Sequence, residues 1–484
     1  MRPLFPKLTA ARSPGVGASI LVSMLILGGC AVGPHYKPPD TKSLVATAYT
    51  TSDPALASGD AAERWWSALG DQTLDRLVER ALSDNPDLAS AEARVRQARA
   101  LAGVAGAYLY PLANLDARVS RDRLSLNGEN LALIPITPKT VEFTDYKIGF
   151  DASWEIDLAG RTRREIEAAI GRFGSSSETR NDARSVVAAE VADNYVDFRA
   201  NSERLSLARR TLAGLDETFR LVGLQEQAGV ASELDRRRAE SERLAAASSV
   251  APLQAAVQAD LYQLAALTGQ NYAAVAAALA DLRPIPVVPD AVPIGMPSDL
   301  LRRRPDVRRA ERELAGATAD VGSAVAAQFP RLSLVGDLGW DSVRTGNLAS
   351  AASRYWNFGP QLTLPLLAGG RLRYQVKAAE AARDAALASY RGTVLKAFAD
   401  AESSMVRFAA ERERAANLAA AAATLDASLD LERRRFAAGE VAAIDVLAAQ
   451  RTADQAADQR AASAGELARD FIALGKALGG GWQP

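Results

Sequence analysis

Tyr146-Lys147-Ile148-Gly149-Phe150-Asp151-Ala152-Ser153-Trp154-Glu155-Ile156-Asp157 alternates apolar and polar residues along its length. A period of two puts Ile148, Phe150, Ala152, Trp154 and Ile156 on one face of a strand, and Lys147, Asp151, Ser153, Glu155 and Asp157 on the other. Upstream, Ala113, Leu115, Ala117 and Val119 alternate in the same way with Asn114, Asp116, Arg118 and Ser120. Strands are therefore predicted over about 112–120 and 146–157, each of a length that crosses a bilayer when tilted. Alternation alone also fits a soluble hairpin packed on a helix. Downstream, Arg161 to Ala228 holds no proline and is rich in Ala, Leu, Glu and Arg. That composition predicts an unbroken helix, about 100 Å long at about 1.5 Å per residue, a rod that no compact globular domain requires.

The chain contains this pattern twice. Asn85-Pro86-Asp87-Leu88 returns as Arg304-Pro305-Asp306-Val307, and Tyr110-Pro111 as Phe329-Pro330, at an offset of 219. Gly160-Arg161 returns as Gly370-Arg371, and Ala228-Gly229 with Leu234-Asp235 as Ala438-Gly439 with Ile444-Asp445, at an offset of 210. The second copy predicts strands over about 331–340 and 356–365, with Leu332, Leu334, Leu338 and Trp340 on one face and Trp356, Phe358, Leu362 and Leu364 on another. Long helices are expected over 161–228 and 371–438, with returning helices over 230–268 and 440–478. Gly229 and Gly439 stop the long helices, and Pro252 is expected to break or offset the first returning one. Four strands cannot close a barrel, whose minimum is about eight, and lipid tolerates no open edge, so several chains would have to share one barrel.

Arg2, Lys7 and Arg12 precede an apolar run from Val16 to Leu27, the size of a secretory signal core and too short to span a bilayer. It ends Leu27-Gly28-Gly29-Cys30, which resembles a bacterial lipobox; that resemblance implies cleavage before Cys30 and lipidation of the chain's only cysteine. Residues 1–29 are read as a lipoprotein signal peptide and 30–64 as a lipid-anchored extended tether holding His35, the only histidine. A first repeat covers 65–282, a Pro-rich connector 283–298 and a second repeat 299–484. With one Cys and one His, neither an intramolecular disulfide nor a Cys/His zinc site is available, and the four Met leave few soft metal ligands. Lys+Arg 57 against Asp+Glu 58 offers no global attraction to nucleic acid. Phosphate-loop, nucleophile-elbow and zinc-protease motifs are missing, so no enzyme activity, catalytic residue, metal or cofactor is expected.

In order along nearly the whole chain, the landmarks resemble the TolC-like outer membrane factors, in particular the NodT-type lipoproteins of tripartite efflux pumps. They are the lipobox with Gly33-Pro34-His35-Tyr36-Lys37-Pro38, Trp65-Trp66 through Leu69-Gly70-Asp71, the run Asp299 to Val307 leading to Phe329-Pro330, and Gly359 to Leu366 leading to Gly369-Gly370-Arg371. The resemblance implies a mainly α chain with membrane β: a homotrimer whose four strands per subunit make a twelve-stranded outer-membrane barrel, continued by a long α-helical periplasmic tunnel. It further implies a passive, gated conduit for small molecules, working with a periplasmic adaptor protein and an inner-membrane pump of the RND type. Two alternatives stand beside it, an exit duct for type I protein secretion and a lipid-anchored coiled-coil scaffold without a pore.

By the same resemblance Gly229 and Gly439 mark the adaptor-docking tips, and Asp235, Asp445 and Phe436 belong to the tip and its gate. For Asp235 local pairing is an equal alternative, with Arg238 on Asp235 and Arg237 on Glu233 at helical spacing. Val441 stands where some relatives carry a basic gate residue, so that gate link does not transfer.

Overall fold

The computed structural model describes residues 31–41, 44, 46–125, 141–281 and 283–482. The expected signal peptide and the lipidation site Cys30 lie outside the described residues. Two compact units form, one from Gln97–Phe173 and Glu313–Leu387 with the segment up to Pro38, the other from Pro39–Arg96, Gly174–Arg312 and Ala388–Pro484. Each unit draws on both repeats. No helix among the described residues is long and apolar enough to cross a membrane.

Each copy begins with helices: α1 (Gln72–Asp84) and α2 (Pro86–Ala107) in the first, and after the single turn Leu300–Arg303, α6 (Pro305–Ala326) in the second. Strands β1 (Leu112–Leu124) and β2 (Val141–Ile156) follow α2, and β3 (Arg331–Ser342) and β4 (Arg354–Thr363) follow α6. The long helices are α3 (Arg161–Gln227) and α7 (Arg371–Ala437), and the returning helices α4 (Glu233–Leu267) and α8 (Ala443–Ala477), with the short α5 (Tyr272–Ala278) after α4.

The first unit holds an antiparallel sheet of order β1-β2-β3-β4. Its register sorts apolar from polar residues along the middle of the sheet. Leu115, Phe150, Leu338 and Trp356 share one cross-strand row, and the neighbouring row on the opposite face is Asn114, Asp151, Asp337 and Asn357. The apolar face is bare: Trp356 is 79% and Phe358 70% exposed. On the polar face Gly149 pairs with Gly339, and the Tyr355 hydroxyl lies 2.6 Å from where a Cβ of Gly149 would be. Lys147 Nζ sits 4.4 Å above the Tyr355 ring, so an aromatic held by a cation covers two glycines that must stay glycine.

β1 and β2 run past the predicted 112–120 and 146–157, to Leu124 and from Val141. The added residues alternate poorly but still pair, Arg121 facing Thr144 and Arg123 facing Glu142, with Glu142 in ion pairs to both arginines at 3.4 and 3.7 Å. Hydropathy stops where the strand leaves an apolar medium, whereas backbone pairing need not. The returning helices start at Glu233 and Ala443 rather than 230 and 440, because the intervening residues make the turn.

The expectation for Pro252 is corrected: α4 continues through it unbroken. Proline's fixed φ suits a helix, and its cost is the missing N–H and crowding of the preceding turn, about 3 kcal/mol. Here Pro252 and Ser248 are exposed, so water reaches the carbonyl that loses its partner.

The main apolar core lies in the second unit, where Trp65, Tyr195, Met405, Phe408, Phe471 and Ile472 are buried together. One interaction there occurs in both repeats. Asn85 Nδ2 donates to the carbonyl of Leu267 at 2.9 Å, closing α4 onto the start of α2, while Asn85 Oδ1 accepts from the N–H groups of Asp87 and Leu88. Arg304 Nη1 donates to the carbonyl of Ala477 at 3.3 Å, closing α8 onto the start of α6, and its guanidinium grips Asp306 and Asp400. Leu267 and Ala477 are themselves related by the offset of 210. The connector adds a parallel pairing of Val292–Pro293 with Leu56–Ala57. Arg304→Ala strands Asp306 and the helix-end carbonyl of Ala477, so urea unfolding should show a loss of about 3 kcal/mol, and Asn85→Ala a smaller one of about 1–2 kcal/mol. Equal, negligible losses would refute the closure.

Candidate channel wall and tip

At the strand-to-helix junction of the first unit, the segment after residue 30 is seated rather than loose. Val32 N–H donates to the Ala159 carbonyl at 3.0 Å, and the buried Arg164 donates to the carbonyls of Val32 and Gly33 and contacts the His35 ring. Gly33, at φ 89°, leaves only 2.6 Å between a hypothetical Cβ and the Cα of Gly322. His35 is thus a docking residue, with no metal-ligand cluster around it among the described residues.

In the second unit the two helix turns repeat one construction. Gly229, at φ 75°, donates to Glu226 and Val230 N–H to the Gln225 carbonyl; Gly439, at φ 76°, donates to Phe436 and Glu440 N–H to Arg435. This is the Schellman closure, and only glycine enters its left-handed position without strain. Val230 and Leu234 at one tip, and Phe436 and Ile444 at the other, leave large apolar surface exposed.

Asp235 and Asp445 hold the same place, three residues past the helix cap. Asp235 Oδ2 accepts from the Ser232 hydroxyl at 2.6 Å and its N–H at 3.1 Å, while Ser232 Oγ accepts from Asp235 N–H, a reciprocal capping box. These bonds from Ser232 hold the Asp235 carboxyl below its ordinary range, with Arg238 adding a smaller pull. Glu233 does pair with Arg237, at 3.5 Å. Asp445 accepts only from the Ala442 N–H, at 3.1 Å, because alanine offers no hydroxyl. Among the described residues it joins no ion pair, so its carboxylate is the less committed of the two.

Above the tips, α8 is tied to α3 and α4 by charge. Arg204 reaches Asp458 at 2.7 Å, Arg460 reaches Glu203 at 2.7 Å, and Arg451 reaches Glu242 at 3.2 Å. Between them lies a cleft of about 950 Å3, with Leu207, Thr211, Leu253, Leu447 and Gln455 in its lining. Higher on α3, Asp193 stands among Glu190, Asp197, Arg469 and Lys476. Burial pushes its carboxyl up to about 7, Asp197 and Glu190 add to the rise, and Arg469 and Lys476 oppose it.

Sequence reasoning missed Asp193 and the charged ladder. A signal was present, since Glu190, Asp193 and Asp197 recur at helical spacing inside the largely apolar stretch Val186 to Phe198. The sign of the pH effect follows. A carboxyl whose folded pKa is raised resists ionisation, so its contribution is most favourable under acid and is lost as pH rises through about 7. Asp193→Asn should therefore raise the unfolding midpoint at about pH 8 and leave it unchanged near pH 4, where the parent carboxyl is neutral in the fold. An equal gain at both pH values would refute this assignment.

A family model described as outer membrane efflux protein matches residues 77–270 and 296–480. The outer membrane protein OprJ of Pseudomonas aeruginosa is 32% identical, over 97% of this chain and 97% of its own length. Nodulation protein T of Rhizobium leguminosarum bv. viciae is 28% identical, over 95% of this chain and 92% of its own. Among solved structures, the outer-membrane channel OprN superposes with a TM-score of 0.84 at 34% identity, covering 94% of this chain and 100% of that one.

Proposed function

The chain belongs to the outer membrane efflux protein family, and we propose that it is a channel subunit through which small molecules leave the cell passively. It is an outer-membrane component of an efflux pump, as its relatives are. The observation that carries the reading is the four-stranded sheet. Its apolar face carries exposed Leu115, Phe150, Leu338, Trp356, Phe358 and Leu362, its opposite face is mostly polar, and among the described residues β1 and β4 each have an unpaired edge. Lipid covers the first face and water the second, and only neighbouring copies can satisfy the edges. Three copies bring twelve strands to one barrel, an even number within the known range. The 67-residue helices α3 and α7 then form the wall of the periplasmic tunnel.

In this reading the tips at Gly229 and Gly439 dock a periplasmic adaptor, the exposed Val230, Leu234, Phe436 and Ile444 giving it an apolar foothold. An inner-membrane pump of the RND type supplies the energy. Cys30 carries the lipid anchor, and the segment from Val32 to His35 is seated at the strand-to-helix junction. The gate is a threefold ring of Asp445, with Asp235 serving first as a helix cap. α8 can part from α3 and α4 at low cost, because partly exposed ion pairs and an unfilled cleft join them there instead of a packed core.

Two measurements test this. The purified protein should run as a heat-modifiable trimer and conduct ions in planar bilayers; a monomer without conductance refutes the channel. Asp445→Ala should raise single-channel conductance roughly twofold, a change of only a few tenths of a kcal/mol, and lower cation preference. Unchanged conductance and selectivity would remove Asp445 from the gate.

A further inference from the structure

Resting on the channel reading, we infer that the link from β4 into α7 is a docking surface for an anionic phospholipid of the leaflet that faces the periplasm. The two strand-to-helix junctions stand 210 residues apart in the repeat and at the same end of the sheet, Ile156 opposite Leu332 and Thr363 opposite Arg331. At the first junction three arginines are neutralised inside the chain. Arg161 pairs with Glu155 at 3.0 Å and with Glu165 at 2.7 Å, Arg163 with Asp157 at 3.3 Å, and the buried Arg164 with Glu167 at 2.7 Å. Asp157 also accepts from the Arg163 N–H at 2.9 Å and so caps the start of α3. The segment after residue 30 then roofs the junction, so close that a Cβ on Gly160 would fall 2.6 Å from the Cα of Ala31.

The second junction keeps the arginines and loses every counter-charge. Arg161 and Arg163 return as Arg371 and Arg373, whereas Glu155, Asp157, Glu165 and Glu167 return as Pro365, Leu367, Gln375 and Lys377. No acidic residue occurs from Thr363 to Ala379, and the first turn of α7 has no carboxylate to cap it. Arg371, Arg373 and Lys377 are exposed, and among the described residues none of them joins an ion pair; Lys377 rests on the Tyr374 ring, 5.6 Å from its centroid. The roof is missing as well. Gly369, the counterpart of Ala159, has nothing within 4 Å of a hypothetical Cβ among the described residues.

Beside these cations the link is apolar and bare. Leu364, Leu366 and Leu367 are exposed, Leu367 at 99%, and Leu364 extends the alternation of Trp356, Phe358 and Leu362 on the face assigned to lipid. Arg373, Tyr374 and Lys377 share one face of α7 at helical spacing, and a tyrosine suits the boundary between lipid and water. Leucines thus meet an acyl chain while guanidinium and ammonium groups meet its phosphate. A second copy does not supply the missing carboxylates, since the chain leading into its β1 carries Arg96 and Arg99 and no acidic residue from Val95 to Pro111. A free phosphate answers the charge but leaves the leucines bare, and a zwitterionic lipid brings a cation of its own. The first junction is therefore closed by the chain's own anchored segment and the second by a lipid that the membrane provides.

The test uses the delipidated trimer of the full chain, offered phosphatidylglycerol or phosphatidylethanolamine with and without excess inorganic phosphate, and counts retained lipid by native mass spectrometry. The expected result is one phosphatidylglycerol per copy, retained in preference to phosphatidylethanolamine and not displaced by phosphate. Arg371→Gln with Arg373→Gln and Lys377→Gln should lower that retention roughly tenfold. Leu367→Asp with Lys377→Glu returns two carboxylates of the first junction to their places and should lower it in the same way. Arg344→Gln with Arg354→Gln, in the link between β3 and β4 at the opposite end of the sheet, should leave it unchanged. Equal retention of the two lipids, displacement by phosphate, undiminished retention in both junction variants, or an equal loss in the Arg344 and Arg354 variant overturns the lipid surface and leaves the channel standing. A parent that forms no trimer overturns both.

Discussion

A four-stranded sheet with rows of Trp, Phe and Leu on one face and, among the described residues, two unpaired edges cannot stand alone in any solvent. In water its Trp, Phe and Leu rows are bare; in lipid its edge N–H and C=O groups have no partner, at a cost of several kcal/mol for each group. The only escape is closure with copies of itself, and the rest of the molecule is arranged for that closure. The polar face must then enclose water, and the row Asn114, Asp151, Asp337 and Asn357 is such a lining. The glycine pair Gly149 and Gly339, roofed by Tyr355, shows that this face is packed with care and not merely hydrophilic.

The repeat supplies the second constraint. Each copy is a long excursion, out along one helix and back along another, and such an excursion needs its return fixed to its start. Asn85 does this in the first copy with an amide, and Arg304 in the second with a guanidinium. Both stand immediately before proline, where the extended backbone ends one segment and the next helix begins without an N–H to satisfy. The first copy closes with a neutral donor and the second with a charged one flanked by Asp306 and Asp400. Identical topology thus tolerates different chemistry, provided that a donor reaches the last carbonyls of the returning helix.

Much of this was legible in the residues themselves. Alternation in Tyr146 to Ile156, the proline-free runs after Gly160 and Gly370, and the offsets of 219 and 210 gave strands, rods and duplication without coordinates. The limits of that legibility have physical causes. Periodicity reports a change of medium, so it ended at Ser120 while β1 continued in paired, charged residues to Leu124. Proline reports a lost donor, which an exposed helix hands to water, so Pro252 left no break. Side chains that act across helices carry no local signal: Arg204 with Asp458, Arg304 with Ala477 and Arg164 with His35 are each more than a hundred residues apart. Asp235 and Asp445 were visible as a repeated pair, yet their difference was not. It lies in the residue three positions earlier, serine in one copy and alanine in the other.

That difference shows how the second unit distributes its strength. Where the excursions begin and end, large side chains interlock and a nearly buried arginine holds two carboxylates, an arrangement that breaks only at a cost of several kcal/mol. Along the excursions the joints weaken to partly exposed ion pairs, each worth less than about 1 kcal/mol and sensitive to salt. At the tips the joints are backbone caps, exposed apolar residues and partly exposed ion pairs across each turn, Arg236 with Glu226 and Arg435 with Glu440. A rod anchored firmly at one end and held lightly at the other bends most where it is held least. The first tip is stiffened by the Ser232 capping box, whereas the second loses that hydroxyl and leaves the Asp445 carboxylate with a single N–H. An asymmetry of one oxygen atom thus leaves the Asp445 carboxylate the less committed of the two.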